Sequence, residues 1–420
     1  MSLAQNIEFL RRLPKLPGFN GLGDFGLGST PDARSPLVEI TGFGTNPGDL
    51  RMFSFVPDNL QQRPALVVVL HGCGQTTAGY DLGAGWSTLA KHYGFALLMP
   101  QQQQSNNANT CFNWFNPEDT AREHGEACSI RQMIARMVGD YKIDPHRIFV
   151  TGISAGGAMT SVMLATYPEI FAGGAVIAGL PFGVATNVRE ALNGMFQSPS
   201  RPAGELGDLV RNASEHKGPW PKLSVWHGSA DRTVNPANAD EIVKQWLDVH
   251  QLPSAPMSEG IVDGHPRQVW WNADGETIVE SYTITDMAHG TPLGIADNDE
   301  RYGAQGAFLI EAGISSSYHI ASFFGLTEWI GRPQEASPQE ASKEVSKEVS
   351  KQVPKEASTE VAKPTPAPSS TPARTPDITA VLRPLAALNR HPEPPRQPRR
   401  RAIDVGGVIT RALTAAGLMK

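Results

Sequence analysis

The run Ala65-Leu66-Val67-Val68-Val69-Leu70 constrains the fold more than any other stretch, because an unbroken apolar and β-branched segment suits a strand covered on both faces. A strand with one wet face would alternate instead. The same signature returns at Phe95-Ala96-Leu97-Leu98-Met99-Pro100, Arg147-Ile148-Phe149-Val150-Thr151, Gly174-Ala175-Val176-Ile177-Ala178 and Leu223-Ser224-Val225-Trp226-His227. Between them, Ile130, Met133, Ile134, Met137 and Val138 fall at helical spacing. Strands alternating with crossover helices predict an α/β fold over residues 36–332, with a mostly parallel central sheet and helices on both faces.

The composition changes at Pro333. Residues 333–401 are rich in Pro, Ser, Ala, Glu, Lys and Arg, carry the short repeat SKEV-SKEV-SKQV, and hold few large apolar side chains. Such a segment buries too little surface to offset its ordering entropy, which predicts a disordered linker. In residues 402–420, Val405, Val408, Ile409, Ala412, Leu413 and Ala416 form one apolar stripe, with Asp404 as N-cap and Gly417 as stop. A helix this short is marginal alone, so it is expected to dock on its own domain, on a sister subunit, or on a polymer or granule surface. Residues 1–35 form an N-terminal extension.

The 420 residues carry 36 basic and 42 acidic side chains, a net charge of −6 that produces no field suited to nucleic acid. A neutral or apolar substrate fits better. Cys73, Cys111 and Cys128 are too few for a disulfide framework and include no C-x-x-C pair, so no metal and no cofactor is expected. The N-terminal residues MSLAQNIEFLRRLPKLPGF lack the apolar core of a secretory signal, and no stretch has the length of a membrane span. The default expectation is a cytoplasmic chain with no integral membrane segment.

The stretch FVTGISAGG, residues 149–157, places Ser154 between a strand and an apparent helix from about Gly157 to Tyr167. Gly152-x-Ser154-x-Gly156 matches a nucleophile elbow in its required context. A sharp strand-to-helix turn strains the serine backbone and brings neighbouring chain close, so the flanking residues must be small. A phosphate loop would need the lysine of G-x-x-x-x-G-K-[ST], which is missing.

A serine hydroxyl needs a base, and the base needs an acid to hold its tautomer. In folds with this elbow the partners follow in the order Ser, Asp/Glu, His, each after a later strand. Asp231 follows the strand Leu223 to His227, and His289 follows the alternating segment Ile278 to Thr285. Asp286 competes as the acid, but its three-residue separation from His289 suits a local turn, so Asp231 is preferred. The backbone amides of Cys73 and Ala155 are the expected oxyanion donors. A nucleophilic pair of Cys73 with His71 is disfavoured, since no elbow carries that cysteine.

His71-Gly72-Cys73-Gly74-Gln75, Cys111-Phe112-Asn113-Trp114-Phe115, Gly152 to Gly157 and Ala288-His289-Gly290 together resemble the polyhydroxybutyrate depolymerase family of esterases, within the α/β-hydrolase fold. The resemblance covers about Pro36 to Arg332. It implies a triad of Ser154, Asp231 and His289, an oxyanion donor at Cys73, and Trp114 as an aromatic in the substrate cleft. Core packing is the other reading of Trp114. The family cleaves short-chain polyhydroxyalkanoate esters, and close relatives act as feruloyl or acetyl-xylan esterases. Secreted members carry a signal peptide and often a polymer-binding module, neither of which is seen here, so soluble oligomers, an intracellular store or a smaller ester stay open as substrates. An oxidising compartment would let Cys73 pair with Cys111, whereas a reducing cytosol would keep both as thiols.

The sequence thus predicts a serine esterase whose partner is an ester substrate, a polyester oligomer or a smaller ester. A serine peptidase or acyltransferase would use the same machinery. The rival from another class is a polymer- or granule-binding protein that works through its C-terminal helix.

Overall fold

The computed structural model describes residues 35–327. The N-terminal extension, the predicted linker and the predicted C-terminal helix lie outside those residues.

A ten-stranded sheet organises the described chain, in the order β1-β2-β4-β3-β5-β6-β7-β10-β9-β8. The strands are β1 (Val38–Ile40), β2 (Arg51–Phe55), β3 (Leu66–Leu70), β4 (Ala96–Gln101), β5 (Ile148–Ile153), β6 (Gly173–Ile177), β7 (Lys222–Gly228), β8 (Ser258–Val262), β9 (His265–Trp271) and β10 (Thr277–Ile284). The six central strands from β4 to β10 pair in parallel. Antiparallel strands finish both edges. The predicted α/β-hydrolase architecture, mostly parallel at its centre, is what forms.

The helices are α1 (Thr77–Ala84), α2 (Trp86–Tyr93), α3 (Pro117–Thr120), α4 (Gly125–Tyr141), α5 (Ala155–Thr166), α6 (Val188–Gln197), α7 (Ala203–Arg211), α8 (Ala237–Val249) and α9 (Ser316–Phe323). A small second sheet pairs β11 (Thr291–Leu293) with β12 (Leu309–Glu311). No helix among the described residues is long and apolar enough to cross a membrane.

Strand β3 shows why its sequence is continuously apolar. Leu66, Val68 and Leu70 enter one core cluster with Ile130, Met133 and Ile134 of α4 and Ile242 and Trp246 of α8. Val67 and Val69 enter the other cluster with Trp86 and Leu89 of α2 and Ile320 of α9. Successive side chains point to opposite faces, and here both faces are roofed by helices. Each such Val or Leu contributes about 1.5–3 kcal/mol on burial. All residues of α5 are buried, so that helix is a rigid post behind the end of β5.

Candidate active site

Parallel strands align their carboxyl ends, and in open α/β sheets ligands bind beyond those ends. Ser154 follows β5, Asp231 lies on the loop after β7, and His289 lies on the loop after β10. The chain between β5 and β10 in the sheet is only β6 and β7 wide. The topology therefore collects the three side chains on one edge.

Ser154 has φ 57° and ψ −119°, a backbone conformation that a residue with a side chain rarely holds. Its amide donates to the Ile177 carbonyl at 2.9 Å, and its own carbonyl accepts from Ala158, which ties the elbow to β6 and α5. The flanking glycines are required by contact. A Cβ on Gly152 would lie 2.5 Å from the Gly156 carbonyl oxygen, and one on Gly156 would lie 2.3 Å from that of Leu70. The predicted need for small residues has this steric cause.

The same approach seats the loop after β3 against the first turn of α5. A Cβ on Gly156 would also lie 2.5 Å from the His71 carbonyl oxygen, and one on Gly72 would meet Ile153. Cys73 sits on that loop and forms a disulfide with Cys111, which removes any thiol nucleophile there. Among the described residues the Cys73 and Ala155 amides donate to no protein acceptor. Ser154 makes no side-chain cap on α5 either, so the amides at that helix start stay available to an anion.

His71 does not face the reacting edge as an acid or base. It is fully buried, its Nδ1 lies 2.8 Å from the Gly72 carbonyl oxygen, and its Nε2 accepts from the Gln102 amide at 3.1 Å. Burial pushes its pKa down to about 4, against a raising effect of the Gly72 contact. A neutral His71 thus tethers the loop that carries Cys73. Glu126 braces the neighbouring segment by accepting from Gln102 Nε2, the Asn113 amide and Asn113 Nδ2.

Asp231 Oδ2 accepts from His289 Nδ1 at 2.7 Å, and Oδ1 accepts from the amides of Thr233 and Val234 at 2.8 and 3.0 Å. Asp286 makes no bond to His289; its amide donates to Ser229 Oγ. Burial alone would push the Asp231 carboxyl up, but hydrogen bonds from His227 and His289 outweigh it and hold the group well below the usual carboxylate range. A proton held at His289 Nδ1 leaves Nε2 free to accept from a hydroxyl. No hydrogen bond joins Ser154 to His289 among the described residues; such bonds tighten when substrate binds.

Trp114 is 7% exposed and packs in the larger core cluster, with an edge-to-face contact to Phe115. His227, the Gln102 and Glu126 braces and the Thr233 and Val234 amides are the parts of the site that sequence reading misses. The available signal was a buried-strand histidine four residues before Asp231.

The esterase PHB depolymerase family matches residues 52–258. Poly(3-hydroxyalkanoate) depolymerase C of Paucimonas lemoignei is 46% identical over 291 residues, covering 69% of this chain and 70% of that protein. An acetylxylan esterase of Coprinopsis cinerea is 34% identical over 263 residues, 61% of this chain and 69% of that protein. The solved acetyl xylan esterase from Aspergillus awamori has a TM-score of 0.58 at 25% identity, covering 69% of this chain and 99% of that one. With the elbow, the fold and these relatives in agreement, the chain belongs to the PHB depolymerase family of esterases within the α/β-hydrolase superfamily, a serine-hydrolase type that acts on ester bonds.

Proposed function

We propose that Ser154, His289 and Asp231 are the catalytic triad, that the amides of Cys73 and Ala155 hold the oxyanion, and that the natural substrates are short-chain polyhydroxyalkanoate esters. The observation that carries the triad is the buried 2.7 Å bond from His289 Nδ1 to Asp231, on the same sheet edge as the strained Ser154. Ser154 Oγ attacks the ester carbonyl while His289 Nε2 takes its proton. Asp231 keeps the proton of His289 on Nδ1 and stabilises the imidazolium. The two amides stabilise the tetrahedral oxyanion, and His289 then protonates the departing alcohol. Water deprotonated by the same imidazole releases the hydroxy acid.

The choice of substrate is supported by the 46% identity to a poly(3-hydroxyalkanoate) depolymerase. Acetylated xylan is the second reading, favoured by the solved acetyl xylan esterase whose length is almost wholly matched. In this reading Trp114 also contributes to the substrate cleft, and residues 402–420 give contact with a polymer or granule surface. The Cys73–Cys111 bond supports work in an oxidising compartment rather than the cytoplasmic default.

Turnover of hydroxybutyrate oligomers, feruloyl esters and acetylated xylan by the full chain and by Ser154→Ala tests this. The expected result is a preference for the oligomers and loss of burst kinetics in the variant. Retained turnover in Ser154→Ala overturns the triad, and a preference for acetylated xylan overturns the substrate. Truncation after Arg332 tests the tail: unchanged polymer binding rules out its surface role.

A further inference from the structure

His227 is the penultimate residue of β7 and is 3% exposed. Its Nε2 lies 3.0 Å from the Val234 carbonyl oxygen and 3.2 Å from Asp231 Oδ2. A carbonyl oxygen only accepts, so Nε2 carries the hydrogen. Its Nδ1 is buried with no partner. The Nε2 hydrogen is shared by Val234 and Asp231, and these are the ring's polar contacts among the described residues.

We infer that His227 is a positioning residue for ester cleavage, donating a second imidazole hydrogen bond to Asp231 and so fixing the carboxylate that orients His289. This rests on the triad reading above. With His227 in place, Oδ2 holds two imidazole donors while Oδ1 holds two backbone amides. The carboxylate cannot rotate without breaking these bonds together. An apolar residue would fill this strand position without leaving a ring nitrogen unpaired, so packing alone does not explain an imidazole there. Its remaining N–H is aimed at the acid.

The second donor also divides the charge on Oδ2. Removing it leaves that charge to His289 alone, which stabilises the imidazolium and makes His289 easier to protonate. The titratable groups around His227 are Asp231, which accepts from it, His289 on the other side of that carboxylate, and Asp240 on α8.

The experiment compares the full chain with His227→Leu, which removes the donor, and His227→Gln, whose Nε2 reaches the same point. Steady-state hydrolysis of p-nitrophenyl butyrate is followed from pH 5 to 9, with Ser154→Ala alongside. The leucine variant should lose on the order of tenfold in kcat with KM unchanged. Its acid limb should move to higher pH, and the glutamine variant should recover both. Wild-type rate and limb in His227→Leu overturn the inference, as does equal impairment of two folded variants. Activity retained in Ser154→Ala would instead sink the triad reading. Should the leucine variant not fold, long-range nitrogen–proton correlation on wild-type histidines decides: His227 must carry a hydrogen on Nε2, and a tautomer with Nε2 bare overturns the proposal.

Discussion

Replacing both Cys73 and Cys111 by alanine separates what the disulfide does for the fold from what it does for the reaction. The bond closes a loop with a sequence separation of 38. Chain-entropy reasoning assigns such a loop about 4 kcal/mol of stability, because the cross-link restricts the unfolded chain. For a domain of this size that is a drop of roughly 6 °C in Tm. The oxyanion loop itself has other tethers. Gly74 donates to the Asn109 carbonyl at 2.8 Å, Gln102 donates to His71 Nε2 at 3.1 Å, and Gly72 donates to Gln75 Oε1 at 2.8 Å. Each is worth about 1 kcal/mol net, enough together to keep the Cys73 amide near its place, so kcat should fall less than about tenfold. Calorimetry gives Tm and p-nitrophenyl butyrate gives kcat. A thiol count on the denatured, unreduced chain should find only Cys128, the free cysteine. Three thiols in that count would refute the bond. An unchanged Tm with the bond present would refute the loop-entropy argument, and a kcat loss above about a hundredfold would show that the disulfide, not the hydrogen bonds, places the amide.

Two further outcomes follow from the geometry. Gly156→Ala would drive a Cβ to 2.3 Å from the Leu70 carbonyl oxygen, a collision with backbone that no rotamer relieves; loss of soluble protein or of more than about 99% of esterase turnover is expected, and a folded variant with wild-type kcat would contradict it. Asp81 is buried with Oδ2 unpartnered and Oδ1 accepting from Ser87, and burial raises its pKa to about 6. Its folded form holds a proton that the unfolded chain loses near pH 4, so its contribution to stability falls as pH rises from about 4 to 6 and is constant above. Asp81→Asn removes that loss, and its stability relative to wild type should grow by roughly 3 kcal/mol between pH 4 and 7. Urea midpoints at both pH values check this, and a pH-independent difference would refute it.

The parallel centre of the sheet was legible because its requirement is local and redundant. Each of β3, β4, β5 and β6 is buried at every position, and apolar residues with a few hydrogen-bonded or small ones, Gln101 and Thr151 among them, fill those positions. The antiparallel edges were not legible for the same reason reversed. Strand β8, Ser-Glu-Gly-Ile-Val, is exposed along almost its whole length, so nothing in its polarity separates it from a loop. It is a strand because β9 supplies hydrogen-bond partners, which a single sequence does not display.

The site divides along a similar line. Ser154 was readable because the elbow sets conditions two residues to either side, and the order of Asp231 and His289 followed from the strands ahead of them. What stayed hidden is polar pairing across long separations: Gln102 with Glu126, 24 residues apart, and His71 with Gln102, 31 apart. A lone Gln or His carries no periodicity, and its partner is set by strand register rather than by spacing. His227 shows the intermediate case. It lies four residues from Asp231, and the sequence places it at a strand end, yet only the turn through Gly228 brings its Nε2 to the carboxylate. Glycine is required at 228 by contact, because a Cβ there would lie 2.3 Å from the Met287 carbonyl oxygen, two residues before His289. The residue after His227 is thus a point where the loop carrying Asp231 meets the loop carrying His289, which Ala230 joins again by donating to the Met287 carbonyl at 3.0 Å, and a side chain at 228 would push the two loops apart.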